Sequence, residues 1–184
     1  MRRRGKVLLV VLVVVGAAAV TTTVLLEKPG LDDARDRANH TWLTLRAPLS
    51  KRYDALERIV PALEAAGAGD RTVTRDLRAA LDTWGGLATA GTTRADAGAE
   101  VATANRLEGL ARRLATNVAA SSRMRTDAVT AALAGFTETV VPPPAVRSYN
   151  RAARADARAR RPTLARWVAA VLVPGERPVL MLGG

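Results

Sequence analysis

The sequence predicts an all-α protein in which one N-terminal transmembrane helix precedes an antiparallel bundle of about four long helices and a short C-terminal helix. Three observations predict this fold. An uncharged apolar stretch stands close to the N-terminus. Apolar residues after it recur at steps of three or four, and no segment shows the period of two that is typical of strands. The chain has 184 residues, and the roughly 155 that follow the apolar stretch are enough for one domain.

The apolar stretch, residues 7–26, contains no charge, proline or amide side chain. As a helix it spans about 30 Å, which matches the hydrocarbon core of a bilayer. Residues 1–6 form a flank with four basic side chains, and the positive-inside bias places such a flank in the cytoplasm and the bundle outside the membrane. The alternative is a secretory signal peptide, cleaved near the small residues 17–19, which exports the same domain.

Residues 27–30 are predicted to be a linker because they end in Pro29 and Gly30, and residues 31–184 are predicted to form the bundle domain. The first helix is predicted over 31–66, with bends at Pro48 and Pro61, since a proline in a helix removes a backbone hydrogen bond. It is expected to end at the glycine-rich residues 67–69. Its apolar stripe consists of Trp42, Leu45, Leu49, Tyr53, Leu56, Ile59, Val60 and Leu63.

Three further helices are predicted over about 72–87, around 101–118 and over about 123–141, with short links that favour antiparallel neighbours. Their inward-facing residues are expected to be Val73, Leu77, Leu81, Trp84 and Leu87; Val101, Ala104, Leu107, Leu110, Ala111, Leu114 and Val118; and Met124, Val129, Leu133, Phe136 and Val140. Only 3% of the residues are aromatic, so Ala, Leu and Val must fill the core. Trp42, Trp84 and Trp167 are therefore the largest expected anchors.

The charge is concentrated at the two ends of the chain. Residues 27–141 hold 16 basic and 15 acidic side chains, whereas residues 142–184 hold 8 basic and 2 acidic ones. After the proline triplet 142–144, which interrupts the helical pattern, arginines recur at spacings of 4, 3, 4 and 3, so one helix face carries all of them. We call this set the arginine ridge: Arg147, Arg151, Arg154, Arg158 and Arg161.

The arginine ridge has two interpretations. It is a candidate anion-binding surface for lipid head groups, a wall polymer or an acidic protein partner. Alternatively it is a solvated face in an arginine-biased chain, since Arg outnumbers Lys by 25 to 3. Nucleic acid is not an expected partner, because no aromatic residues are interleaved for base stacking. Beyond the ridge, a short helix over 162–174 is expected to pack on the bundle or to lie at the membrane interface, and residues 179–182 form an apolar tail.

The residue inventory argues against catalysis. The chain has no cysteine and one histidine, which excludes disulfides, thiolate chemistry and two-histidine metal centres. Asp36 and His40 share one helix face, but helix-capping acids beside a surface histidine explain the pair better than a metal does. Phosphate-loop and nucleophile-elbow motifs are absent from the sequence. We therefore predict no catalytic residues, no cofactor and no metal, and a protein that binds rather than catalyses.

Several short motifs resemble those of the LemA family of bacterial membrane-anchored helical proteins. The stretch Lys51-Arg52-Tyr53-Asp54 is similar to the family's basic-basic-aromatic-Asp stretch on its first long helix. Further along, Arg147 with Tyr149 and Asn150, then 161–162 and the proline-containing end 174–178, follow the order of the family's motifs. The proline triplet and Ala155-Asp156, in place of a second Tyr-Asn, depart from the pattern.

The LemA resemblance implies a single-pass membrane protein of the cell envelope with a helical bundle, no cofactor and a poorly defined molecular activity. Family descriptions place the short N-terminus outside the cell, whereas the basic flank of this chain places it in the cytoplasm. The expected role is a non-catalytic interaction or scaffold module with an unknown partner. The alternative is a secreted or anchored module that binds polyanions or anionic lipid through the arginine ridge.

Overall fold

The computed structural model describes residues 2–89, 96–160 and 178–182, with side chains from residue 30 onward in the first range and from residue 97 onward in the second. All regular structure in these ranges is helical, which confirms the all-α prediction. Six helices are described: α1 (Arg2–Glu57), α2 (Ile59–Ala65), α3 (Thr72–Thr89), α4 (Asp96–Ala120), α5 (Asp127–Glu138) and α6 (Pro143–Ala159).

The six helices form a four-membered bundle, since two members consist of two consecutive helices. α1 and α2 form the first member, α3 and α4 are the second and third, and α5 with α6 form the fourth. α3 packs along α4, and α1 packs along α6. α4 runs parallel to α1, because Trp42 and Arg52 contact Glu100 and Glu108 in the same order along both helices. The helical bundle predicted from periodicity is thus present.

The predicted linker over 27–30 is helical instead, since α1 continues without interruption from Arg2 to Glu57. It passes through Pro29 and Pro48. A proline inside a helix leaves one carbonyl, four residues earlier, without its helical donor. At Pro48 the buried neighbours Leu45 and Leu49 hold both sides of the helix against the bundle, so the loss of one hydrogen bond does not end it.

Pro61 has a different effect, because α1 ends four residues before it. The proline has no N–H to donate to the carbonyl of Glu57, and its ring crowds that carbonyl. α1 ends at Glu57, and α2 begins at Ile59. α2 then ends at Ala65, just before the glycine-rich residues 67–69, as predicted: Gly67 has φ 68°, and the amide of Ala68 donates to the carbonyl of Leu63 at 2.8 Å, the hydrogen bond of a Schellman motif.

The predicted core is confirmed with few exceptions. Every residue of the predicted stripe on α4 is buried, as is the stripe on α1 and α2 apart from the partly buried Val60. Val140 is 70% exposed, whereas Val141 is buried. The predicted helix over 123–141 is shorter at both ends, as Thr126 caps α5 through the amide of Val129 and α5 ends at Glu138. Past that end the helical period no longer applies, which explains why Val140 is exposed.

Two predicted segments lie outside the residues whose side chains are described. They are the predicted transmembrane segment 7–26, of which the structure gives the helical backbone only, and the stretch 161–177, which contains Arg161, Trp167 and the predicted short helix over 162–174. Among the residues that could be assessed, no helix is both long and apolar enough to cross a bilayer. The transmembrane helix therefore stays a prediction from sequence.

Candidate functional site

The arginine ridge lies on α6, whose first turn contains Pro143 and Pro144. Proline suits these positions because the first amides of a helix have no partner within it. Four members of the ridge lie within the described residues, and all four are exposed: Arg147, Arg151, Arg154 and Arg158. The fifth, Arg161, lies outside them. The spacing deduced from sequence therefore places four guanidinium groups on one accessible helix face.

The other side of α6 is fixed to the bundle through three buried residues, Tyr149, Ala153 and Asp156. The ring of Tyr149 contacts Trp42 of α1, with 5.3 Å between ring centroids. Asp156 accepts a hydrogen bond from Nε of Arg160 at 3.1 Å. The step of four from Tyr149 to Ala153 predicts that Ala157 also faces inward, but Ala157 is exposed and Asp156 is buried. The Trp42–Tyr149 contact and the burial of Ala153 and Asp156 hold the helix that carries the ridge in one orientation, while the pair of Asp156 with Arg160 lies within the C-terminal turn of α6.

The four exposed ridge arginines make no side-chain hydrogen bond or ion pair within the part of the chain that the structure describes. Each guanidinium group has five N–H donors in a planar array that suits carboxylate and phosphate oxygens. A ridge of unpaired guanidinium groups is therefore able to bind an external anion without first breaking an internal contact.

Arg52, in the stretch 51–54 on α1, has the opposite character because its side chain is only 12% exposed and each of its guanidinium nitrogens donates a hydrogen bond. Its Nε lies 2.8 Å from Oε1 of Glu108, and its Nη2 donates to Oε2 at 3.2 Å. Its Nη1 donates to the carbonyls of Phe136 and Thr139, at 3.0 and 2.7 Å. These carbonyls lie at the end of α5, so Arg52 joins three helices and neutralises a C-terminal helix dipole.

Arg46, six residues earlier on α1, likewise pairs with a glutamate of α4 and donates to carbonyls near the end of another helix. It forms an ion pair with the buried Glu100 at 2.8 Å, and its Nη2 donates to the carbonyls of Leu87 and Ala88 near the end of α3. Glu100 also accepts a hydrogen bond from the indole of Trp42. We did not predict either pair. The available signal was the position of Glu100 and Glu108 beside the apolar stripe of α4, where a buried charge needs a partner.

The other residues of the stretch 51–54 differ in their exposure to solvent. Lys51 and Asp54 are exposed, whereas Tyr53 is buried. Its ring meets Trp84 edge to face at 4.9 Å between centroids, and its hydroxyl donates to the carbonyl of Ala104 at 3.3 Å. Burial raises the pKa of Tyr53 far above its ordinary value, and the negative charge of Glu108 raises it further. Tyr53 is a packing residue and not a surface ligand.

The raised pKa of Tyr53 predicts an alkaline loss of stability. In the unfolded chain the phenol ionises near pH 10, while the folded protein keeps it protonated, so above that pH the unfolded state binds fewer protons. The stability provided by the neutral phenol is complete below about pH 10 and falls by about 1.4 kcal/mol per pH unit above it. Urea unfolding between pH 8 and 12 should show this slope, and the Tyr53→Phe variant should have a shallower one. Equal slopes in both proteins would contradict the assignment to Tyr53.

The C-terminal tail, residues 178–182 in the described part of the chain, is held by Tyr149 and Asn150 of α6, a position that the sequence did not predict. Tyr149 donates its hydroxyl to the carbonyl of Pro178 at 2.9 Å. The amide side chain of Asn150 accepts from the backbone N–H of Leu180 at 2.9 Å and donates to its carbonyl at 3.0 Å. Asn105 on α4 pairs in the same way with Val179 and Met181. Leu180 is buried, so residues 178–182 complete the bundle as an extended segment between α4 and α6.

Two grooves flank the arginine ridge. One, of about 660 Å³, lies between α1 and α6 and is lined by Asp36, His40 and Arg151 among others. The other, of about 550 Å³, is mainly apolar and has Arg147 at its edge. Among the described residues, no group of three or more His, Cys, Asp or Glu side chains is placed to hold a metal ion. Asp36 and His40 thus contribute a polar groove wall beside the ridge.

Comparison of the chain with protein-family models, with curated proteins and with solved structures finds no match in any of the three.

Proposed function

We propose that this protein is a membrane-anchored, LemA-like interaction module of the cell envelope that binds its partner without catalysing a reaction. The arginine ridge is its contact surface. The observation that carries the proposal is a contrast between two sets of arginines: Arg46 and Arg52 are largely buried and paired with glutamates, whereas the four described ridge arginines are exposed along one helix face and unpaired within the described residues.

The chemistry of the ridge defines the kind of partner. Four guanidinium groups spread over about 16 Å of helix, since each residue rises about 1.5 Å. Such an array attracts an extended anion more strongly than a single small ion, because each charge adds to the same field. An acidic protein surface, an anionic wall polymer and a membrane with anionic lipids all have this character, and all occur in a cell envelope.

A pull-down from detergent-solubilised membranes tests the proposal, with the tagged full chain as bait. We expect the bait to retain a partner, and the variant with Arg147, Arg151, Arg154 and Arg158 changed to Glu to lose at least nine-tenths of it. A matched control changes four exposed arginines elsewhere to Glu: Arg71, Arg75, Arg113 and Arg123. A stoichiometric protein in the eluate identifies an acidic protein partner, whereas lipid or polymer alone identifies polyanion binding. Equal retention by both variants would contradict the role of the ridge.

A further inference from the structure

α6 runs antiparallel to α1, and this direction orders the arginine ridge along the axis of α1. The contact between Trp42 and Tyr149 fixes the register of the two helices. Positions 149 and 158 are nine residues apart, as are positions 42 and 33, so Arg158 lies level with Asp33. By the same count Arg147 lies level with Thr44. The groove between the two helices agrees with this register, because Asp33 and Asp36 of α1 line it together with Arg151 and Ala155 of α6.

The continuity of α1 relates the ridge to the predicted membrane segment. Because α1 is one helix from Arg2 to Glu57, residues 7–26 and the bundle residues of α1 belong to the same helix. If Leu26 is the last residue in the hydrocarbon layer, a rise of about 1.5 Å per residue places Arg158 about 10 Å above that layer and Arg154 about 16 Å above it. Arg147, at the other end of the ridge, is then about 27 Å above it.

These heights separate the ridge into two parts. Lipid head groups extend about 5–7 Å beyond the hydrocarbon on each side, and a long arginine side chain brings its charged head several ångströms from its own helix. The potential of an anionic membrane falls with a Debye length of about 8 Å at physiological salt. Arg158, and Arg154 with its side chain extended toward the head groups, are within this range, whereas Arg147 lies about 17 Å, or about two Debye lengths, farther from the membrane than Arg158.

We propose that Arg154 and Arg158 bind the anionic head groups of the membrane in which the chain's own N-terminal helix is anchored, and that this contact holds the bundle at a fixed angle to the bilayer. The inference rests on the proposed function and names the partner of the membrane-near half of the ridge. The carboxylates at this end, Asp32, Asp33 and Asp36, are on α1. The one acidic residue of α6 between 147 and 158, Asp156, is buried, so the exposed face of α6 has basic groups only. Arg147 and Arg151 remain available to a second partner.

The test uses the full chain in lipid nanodiscs, either of phosphatidylcholine alone or with three-tenths phosphatidylglycerol. Anionic lipid should raise the melting temperature of the bundle by about 4–8 °C, since two arginines interact with it. The Arg154→Gln/Arg158→Gln variant should lose this rise. The Arg147→Gln/Arg151→Gln variant removes the same number of charges from the same face and should keep it. All four residues are exposed, so both variants are expected to fold.

A second readout follows the distance directly and does not depend on melting. The chain contains no cysteine, so a single fluorophore can be attached at Ala157→Cys or at Ser148→Cys, both exposed positions of α6. Head-group spin labels should quench the probe at 157 at least threefold more than the probe at 148, and more in anionic than in neutral discs. No melting shift with anionic lipid, an equal loss in both arginine variants, or equal quenching at 148 and 157 would each overturn the inference. The pull-down from detergent-solubilised membranes would still test the role of the whole ridge independently of these results.

Discussion

The Glu108→Ala variant is expected to lose about 3–5 kcal/mol of unfolding free energy, because it removes one partner of a buried ion pair. Arg52 then keeps its charge with no carboxylate beside it, although it still donates to the carbonyls of Phe136 and Thr139. Its guanidinium lies 3.9 Å from the centroid of the Phe136 ring, so this contact and the end of α5 should loosen together. Chemical unfolding followed by tryptophan fluorescence measures the change.

The chain provides a matched control on its surface. Arg78 and Glu64 also form an ion pair, but both side chains are about half exposed, and such pairs contribute about 0–1 kcal/mol. Glu64→Ala should therefore change the unfolding free energy by less than about 1 kcal/mol. A Glu108→Ala cost as small as that of Glu64→Ala would show that the buried pair does not support the bundle.

Trp42→Ala is expected to cost about 3–5 kcal/mol, the usual effect of truncating a large buried side chain to alanine. Trp42 is fully buried. The substitution leaves a cavity beside Tyr149 and removes the indole N–H that donates a hydrogen bond to Glu100. Since Tyr149 also holds the C-terminal tail, the tail should become more open to hydrogen exchange. Thermal melts and exchange of the amides of Leu180 and Met181 measure both effects.

Leu43 is the control for this truncation, because it is the next residue on α1 and is 50% exposed. Leu43→Ala removes an apolar side chain from the same helix turn without opening a buried cavity. It should cost less than about 1 kcal/mol. Similar melting temperatures for Trp42→Ala and Leu43→Ala would contradict the packing described for Trp42.

Sequence periodicity predicted the helices well because burial of an apolar stripe dominates their energy. The stripe from Val101 to Val118 was predicted at every position. Periodicity failed where a helix ended, as at Val140, since the angle between successive side chains changes there. It also failed at Pro29, where a favourable helix on both sides outweighs one missing hydrogen bond.

The polar parts of the fold were less accessible to sequence reasoning. A charged residue such as Glu108 can be read as exposed or as buried with a partner, and the choice depends on a residue 56 positions away in the chain. The pairing of Asn105 and Asn150 with the tail is non-local for the same reason. The ridge spacing was local and therefore predictable, whereas its position relative to α1 required the register of two helices that are distant in the sequence.

We propose that the arginine ridge, and not the net charge of the chain, makes the functional contact. The deciding measurement is the amount of partner retained from solubilised membranes by two proteins of equal net charge, one with the four described ridge arginines changed to Glu and the other with Arg71, Arg75, Arg113 and Arg123 changed to Glu. We expect only the ridge variant to lose its partner. Equal loss in both proteins, or equal retention, would contradict it.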